Sequence, residues 1–297
     1  ASRRRSALAG PRLRVMVWRM RPWSTIADTA FSKWCCSIMS GVPKMARVNI
    51  NSQCSDTDFG ISCRASIGAW DSISTIAPCG ATAATIIPAM AGTAKHVLVV
   101  GAETHSAALD LSAKGRTVAS LFGDGAGAVV VSATDEDRGI RGTYLGADGR
   151  FADVLSQRVW DIKKRPFVKL DENGVGQVPP DDLWARMDGK QVFRNAVERM
   201  IGVLMQACAD QGLTRDDIDL FFFHQANLRI NQYIAQQIGI TEDKLVSNIQ
   251  RYGNTTAATI PILLAEAEQS GRLKRGMKVA MVAFGSGFTW GAAIVDW

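Results

Sequence analysis

The feature that most limits the fold is a pattern of strand, glycine-rich turn and strand that occurs twice. KHVLVVGAE (95–103) leads to FGDGAGAVVVSA (122–133), and MKVAMVAFGSG (277–287) leads to WGAAIVDW (290–297). In each copy an apolar run ends in Gly, a Gly-rich turn follows, and a second short strand of small and β-branched residues comes after it. Repetition of one unit implies an internal duplication, with two halves of similar α/β topology, 1–135 and 136–297.

The second half alternates helices and strands. Apolar residues at helical spacing (Val192, Phe193, Val197, Met200, Ile201, Leu204) predict a helix from Lys190 to Gln211, ended by Gly212. A buried strand is predicted at Ile218–Phe223, a helix from about Arg229 to Gln237, a short strand at Leu245–Val246 and a helix after Asn254. Residues 134–186, rich in charge, Gly and Pro, read as an elaborated connection over the mouth of a site. In the first half, Ala46–Ile50 and Lys95–Val100 read as strands, whereas residues 63–90 keep no sustained period.

Length and composition limit the function classes. A chain of 297 residues that is 47% hydrophobic can bury one large core or two smaller ones, as a globular enzyme does. Its apolar runs are broken by Gly or charge within about ten residues, short of the ~20 that cross a bilayer, so no membrane span is expected. Cys35, Cys36, Cys54, Cys63, Cys79 and Cys208 lack paired CxxC spacing, which indicates neither a zinc site nor a disulfide framework. Reduced thiols in a cytosol-like compartment follow. Arg3, Arg4, Arg5, Arg12, Arg14, Arg19 and Arg21 all precede the first acidic residue, Asp28, and account for the excess positive charge. Such a start resembles an organelle transit peptide or a nucleic-acid arm. No aromatic-basic recognition motif follows it, and no nucleic-acid partner is expected.

Three polar breaks carry the candidate chemistry. In FFFHQANLRINQ (221–232) an apolar strand gives way abruptly to polar residues at His224, at the carboxyl end where open α/β sheets bind ligands. RYGNTTAATIP (251–261) places Asn254 at a second such break, where Gly253 permits a tight turn; an ordinary helix cap is the plainer reading. Set at equivalent strand-to-helix turns, His224 and Asn254 are suited to donate hydrogen bonds to one substrate oxygen as charge develops on it. FGSGFTWGA (284–292) is either a β-turn or, through the backbone amides between Gly285 and Gly287, an oxyanion hole. FGDGAGA is not a dinucleotide site, because strand residues follow it where a helix would be needed.

Cysteine is the natural nucleophile opposite a histidine. Cys54, in VNINSQCSDTDFGIS (48–62), follows the strand at Ala46–Ile50 and precedes a possible helix, whose dipole would favour thiolate. Cys79, in IAPCGAT, is the second candidate, and Cys35, Cys36 and Cys208 sit in apolar helical contexts that suit packing.

Together HQANLRI, RYGNTTAATIP, LFGDGAGAVVV and AFGSGFTWGAA resemble the β-ketoacyl-acyl-carrier-protein synthase III family of the thiolase superfamily, from about Lys95 to Trp297. The resemblance implies a duplicated, five-layered αβαβα fold, a homodimer and a Cys–His–Asn triad. By motif position the triad is Cys54, His224 and Asn254, with NINSQCSDTDFGIS set against the family's DINAQCSGFxYGLS. It also implies an oxyanion hole from the amides of Cys54 and Ser286, coenzyme A adenine contact at Arg116, and a pantetheine tunnel along Phe193 and Asn227. Arg194 and Arg229 would receive an acidic carrier protein. The implied reaction is decarboxylative Claisen condensation of an acyl-coenzyme A with malonyl-acyl-carrier protein. It uses acyl-coenzyme A as substrate, with no separate cofactor, in the cytoplasm, or in an organelle matrix if the Arg-rich start is a transit peptide.

Three departures fall before residue 95. Asp56 stands where the family has Gly, Cys54 to Gly101 is roughly twenty residues longer than the family's spacing, and the chain begins late relative to the pattern. Two other readings therefore stand beside condensation: a thiolase-fold acyltransferase of secondary metabolism, and a catalytically silent homologue with a truncated or divergent first half.

Overall fold

The structure is a computed structural model, and it describes residues 11–14, 72–75, 96–134, 136–158 and 169–297. Four strands make the first sheet: β1 (Pro11–Arg14), β2 (Ser72–Thr75), β3 (His96–Glu103) and β4 (Gly125–Ala133), in the order β1-β4-β3-β2. β2 runs parallel to β3, while β4 is antiparallel to both β3 and β1. Five strands make the second: β5 (Gly139–Ala147), β10 (Leu220–Phe223), β11 (Leu245–Val246), β12 (Lys278–Gly285) and β13 (Thr289–Asp296), in the order β11-β10-β12-β13-β5. Here β10 is parallel to β12, and β13 is antiparallel to both β12 and β5. The repeated motif thus has a topological counterpart. In each sheet a parallel neighbour, two antiparallel motif strands and an antiparallel outer strand follow in the same spatial order.

Between β5 and β10 lie two short ribbons, β6 (Leu155–Ser156) with β9 (Arg186–Met187), and β7 (Lys169–Leu170) with β8 (Gly176–Gln177). The helices are α1 (Arg116–Ala119), α2 (Pro180–Leu183), α3 (Gly189–Asp210), α4 (Leu228–Ile238), α5 (Ile249–Tyr252) and α6 (Thr259–Gln269).

The three phenylalanines of β10 show how the layers form. Successive strand side chains face opposite ways, so Phe222 points into a core between the sheets and Phe221 and Phe223 into a core on the far face. The inner core joins Val97, Val99, Val129 and Val131 of the first sheet to Val279 and Val295 of the second, with Leu263, Leu264 and Ala267 of α6 among them. The outer core packs Met200, Val203 and Leu204 of α3 and Ile230 and Ile234 of α4 on the second sheet. All three phenylalanines are fully buried, which contributes about 1.5–3 kcal/mol each. The described residues therefore stack as helix, sheet, helix, sheet.

The predicted helix at Lys190–Gln211 is α3, shifted by one residue because Asp188 caps it, accepting from the backbone N–H of Lys190 and of Gln191. Gly212, at φ +66°, ends it as expected. Two expectations change. Within residues 134–186, read as a connection, Gly139–Ala147 is a full edge strand of the second sheet; its three glycines hide the alternation that would mark it. Part of the Arg-rich start is likewise sheet, since Pro11–Arg14 pairs with Ala133–Val130; Pro11 is tolerated on an edge, where no ladder bond is needed from its nitrogen. The predicted strand at Ala46–Ile50 lies outside the described residues.

Candidate functional site

His224 is the first residue beyond β10, and three elements hold it. Its backbone N–H donates to the Val282 carbonyl of β12 (2.8 Å), and its carbonyl accepts from the side-chain amide of Asn231 on α4 (3.2 Å). Its ring Nδ1 lies 2.7 Å from the Thr259 hydroxyl at the start of α6. Part of the residue's surface stays accessible, but the ring lies deep, and burial pulls its pKa from 6.5 down to about 4. The imidazole is accordingly neutral at pH 7.

The other polar residues of HQAN fix the loop. Gln225 is fully buried; its amide N–H donates to the Phe223 carbonyl (2.7 Å), and its oxygen accepts from the Ser247 hydroxyl (2.9 Å) and the Asn248 N–H (3.3 Å). Asn227 caps α4 by accepting from the Arg229 N–H (2.9 Å).

Asn254 is clamped against the FGDG segment. Its N–H donates to the Leu121 carbonyl (2.7 Å), its carbonyl accepts from the Gly123 N–H (3.0 Å), and the two chains form a parallel bridge at Phe122. Gly253, at φ +66°, makes the turn that permits this. Gly123 is required by contact: a Cβ there would stand 2.0 Å from the Tyr252 carbonyl oxygen. Asn254 Oδ1 accepts from the Thr256 N–H (2.9 Å), which orients the amide and leaves Nδ2 as the group able to donate onward. The FGDG motif therefore shapes the Asn254 turn.

A hydrogen-bonded chain links the two residues. Asn254 Oδ1 accepts from Thr256; the Thr256 carbonyl lies 3.0 Å from the Thr259 hydroxyl, and that hydroxyl lies 2.7 Å from His224 Nδ1. Thr256, at φ +43°, lies in the left-handed region that a β-branched residue rarely enters, a strain held in place by these contacts.

Ser286 lies in the turn between β12 and β13, four residues past the Val282 carbonyl that receives His224. The turn is tied to β5 through Phe288 and Asp148, which exchange two backbone hydrogen bonds (2.7 and 2.9 Å). The Asp148 carboxylate is gripped by both Nε and a terminal nitrogen of Arg150 and by Arg199, and hydrogen bonding to Arg150 chiefly holds its pKa down at about 2. The Arg199 guanidinium lies 4.3 Å over the Trp290 ring.

Arg116 is exposed at the start of α1, on the stretch that leads to the Asn254 clamp. Phe193 is half-buried and meets Tyr233 edge-on (ring centroids 5.7 Å apart), joining α3 to α4. Arg194 and Arg229 are exposed on that same helix pair. Cys54 and Cys79 lie outside the described residues. Cys208 is buried in α3, and burial, then Asp217, pushes its thiol pKa up, as suits a packing residue. Thr259, Asp148 and Arg199 had no signal in sequence, because each acts on a partner distant along the chain. Among the described residues no three His, Cys, Asp or Glu side chains are grouped to hold a metal, and no helix is long and apolar enough to cross a membrane.

His224 follows β10 as expected, whereas Asn254 follows the short helix α5 and not a strand. Two sheets of matching neighbour order, a helix packed between them, and a histidine at a strand end joined by hydrogen bonds to an asparagine define a protein of the thiolase-type α/β class. Comparison with known proteins narrows this. Residues 80–149 match the family model for 3-oxoacyl-[acyl-carrier-protein] synthase III, and residues 208–297 match the model for its C-terminal part. The chain belongs to the β-ketoacyl-acyl-carrier-protein synthase III family. It is 41% identical over 206 residues to β-ketoacyl-[acyl-carrier-protein] synthase III of Clostridium tetani, covering 69% of this chain and 61% of that protein. To the protein of the same name from Sphingopyxis alaskensis it is 43% identical over 206 residues, 69% of this chain and 59% of that one. The crystal structure of β-ketoacyl-[acyl carrier protein] synthase III from Thermus thermophilus superposes with a TM-score of 0.64 at 38% identity, over 73% of this chain and 64% of that one. The chain thus spans about three fifths of the length of the curated relatives it matches.

Proposed function

We propose that the protein is an acyltransferase that condenses an acyl-coenzyme A with malonyl-acyl-carrier protein, releasing CO2 and forming a β-ketoacyl thioester. The observation that carries this reading is the hydrogen-bonded chain from His224 through Thr259 and Thr256 to Asn254, which fixes the orientation of the imidazole and the amide together. A neutral imidazole and an amide suit the stabilisation of a developing enolate, since neither needs to give up a proton to do it. Cys54, with Cys79 as the alternative, is the nucleophile. Its thiolate attacks the acyl-coenzyme A carbonyl, forming the cysteine thioester and expelling the coenzyme A thiolate, with the amides of the cysteine and Ser286 holding the thioester oxygen.

Malonyl-acyl-carrier protein binds next, its carrier received by Arg194 and Arg229, with Arg116, Phe193 and Asn227 along the path of the coenzyme A and pantetheine arms. CO2 leaves, His224 and Asn254 donate to the enolate oxygen, and the carbanion attacks the acyl-enzyme and expels the cysteine thiolate. No separate cofactor enters. The division into halves at 135/136, a homodimer and a cytoplasmic or organelle-matrix location belong to the same proposal. Sedimentation yielding a stable micromolar monomer would reject the dimer.

Simple acyl transfer to an oxygen or nitrogen acceptor has less need of Asn254, which separates the two enzymatic readings. In Asn254→Ala, condensation is expected to fall by roughly a hundred- to thousandfold, the effect of losing one donor worth about 3–4 kcal/mol, with acyl-enzyme formation little changed. Equal loss in both steps would reject the assignment. Failure of the unaltered protein to acylate any cysteine would favour a silent homologue.

A further inference from the structure

Thr259 is buried, with 1% of its surface exposed, and its single hydroxyl proton has two acceptors within reach: the Thr256 carbonyl at 3.0 Å and His224 Nδ1 at 2.7 Å. The Thr256 carbonyl also receives the backbone N–H of Thr259, so it keeps a partner whichever way the hydroxyl turns. A neutral imidazole carries one ring proton. If the Thr259 hydroxyl donates to Thr256, His224 must carry its proton on Nδ1 to bond the hydroxyl oxygen, and Nε2 presents a lone pair. If the hydroxyl instead donates to Nδ1, the ring proton sits on Nε2, and His224 becomes a donor there.

We infer that the Thr259 hydroxyl is a two-position switch that sets the tautomer of His224, with Nδ1–H favoured in the free protein and Nε2–H favoured when a substrate oxygen occupies the site. Hydrogen-bond accounting supports both halves. In the free protein the Nδ1–H form makes two bonds, ring to hydroxyl and hydroxyl to Thr256, whereas the Nε2–H form makes only hydroxyl to ring. With a carbonyl or enolate oxygen facing Nε2, the Nε2–H form gains a bond, and the Nδ1–H form sets a lone pair against that oxygen. The exchange gives the Nδ1 proton to water and returns one to Nε2 from water, so the ring charge is unchanged. Thr259 is thus a positioning residue acting through His224. The inference deepens the condensation reading, and rests on it only for the identity of the oxygen.

The test is nitrogen NMR of the full chain labelled at its three histidines with 15N, the His224 signals being identified by their loss in His224→Gln. The wild-type spectrum is expected to show the Nδ1–H form, and addition of the amide analogue of malonyl-coenzyme A to move it to Nε2–H. Thr259→Val, which keeps shape and loses the hydroxyl, should abolish the Nδ1–H preference, while Thr259→Ser should restore it. Loss of the hydroxyl should also slow condensation by about tenfold, the value of one ordinary hydrogen bond, with acyl loading unchanged. A free wild-type protein already in the Nε2–H form overturns the inference without any variant, as does a folded Thr259→Val with the wild-type tautomer and ligand response. If the free-protein tautomer depends on the hydroxyl but no condensation occurs, the switch stands and the proposed reaction falls.

Discussion

Replacing Gly123 with Ala should disturb stability and chemistry together, because its Cα faces the backbone of the Asn254 turn. The added Cβ would stand 2.0 Å from the Tyr252 carbonyl oxygen and 3.1 Å from its carbon, where real Cβ atoms keep at least about 3.0 Å from any neighbour. The contact must therefore open by about 1 Å, and both sides are backbone, so no side chain can swing away. Gly123 donates to the Asn254 carbonyl and Asn254 donates to Leu121, so the movement is carried directly to the candidate donor. Overpacking of this kind typically destabilises by about 1–3 kcal/mol, and a misplacement of about 1 Å at a reacting group can slow a step by roughly a hundredfold. Gly202→Ala is the control. It lies within α3 with nothing inside 4 Å of the new Cβ, and it should stabilise by about 0.5–1 kcal/mol through helix propensity alone. Urea titrations followed by tryptophan fluorescence would give the two stability changes, and separate loading and condensation assays would give the kinetic one. Equal midpoints for the two variants would refute the packing argument. A destabilised Gly123→Ala with full condensation would show that this contact does not hold Asn254 in place.

Three further outcomes are expected. His224, whose pKa falls from 6.5 to about 4 through burial, takes up a proton more readily unfolded than folded. Its contribution is complete above pH 6.5 and is lost as pH falls toward 4, by at most about 3 kcal/mol at ~1.36 kcal/mol per pKa unit; His224→Gln should flatten that slope, and an unchanged slope would contradict it. Asn227→Ala should destabilise by about 0.5–2 kcal/mol through loss of the α4 cap, and Asn227→Asp should retain the cap. If Asn227→Asp also leaves KM for acyl-coenzyme A unchanged, capping is the residue's only role. Limiting iodoacetamide followed by peptide mass mapping should label Cys54 first and Cys208 last, since burial raises the Cys208 thiol pKa; label confined to Cys79 would move the nucleophile there.

Much of this was legible along the chain because the signals are local. Alternating and helical periods report which face of an element is buried, and Gly reports where a helix stops; α3, α4, β11 and the two motif hairpins follow from them. A strand written GIRGTYLGA escapes that reading, because glycines at every third or fourth place carry no apolar signal and only pairing with β13 makes it a strand. His224 stands out at the abrupt end of an apolar run and Asn254 in a polar break between apolar segments, patterns visible without knowing what the residues face. Their environment was not visible. That Thr259 meets His224 across 35 positions, that Asp148 ties down the turn bearing Ser286, and that the FGDG glycines make room for the Asn254 turn depend on packing segments that are distant along the chain. Hydrogen bonds and close contacts are short-ranged in space and indifferent to separation along the chain. Residue order therefore indicates which groups have the chemistry, and only the folded arrangement selects the partners that orient it.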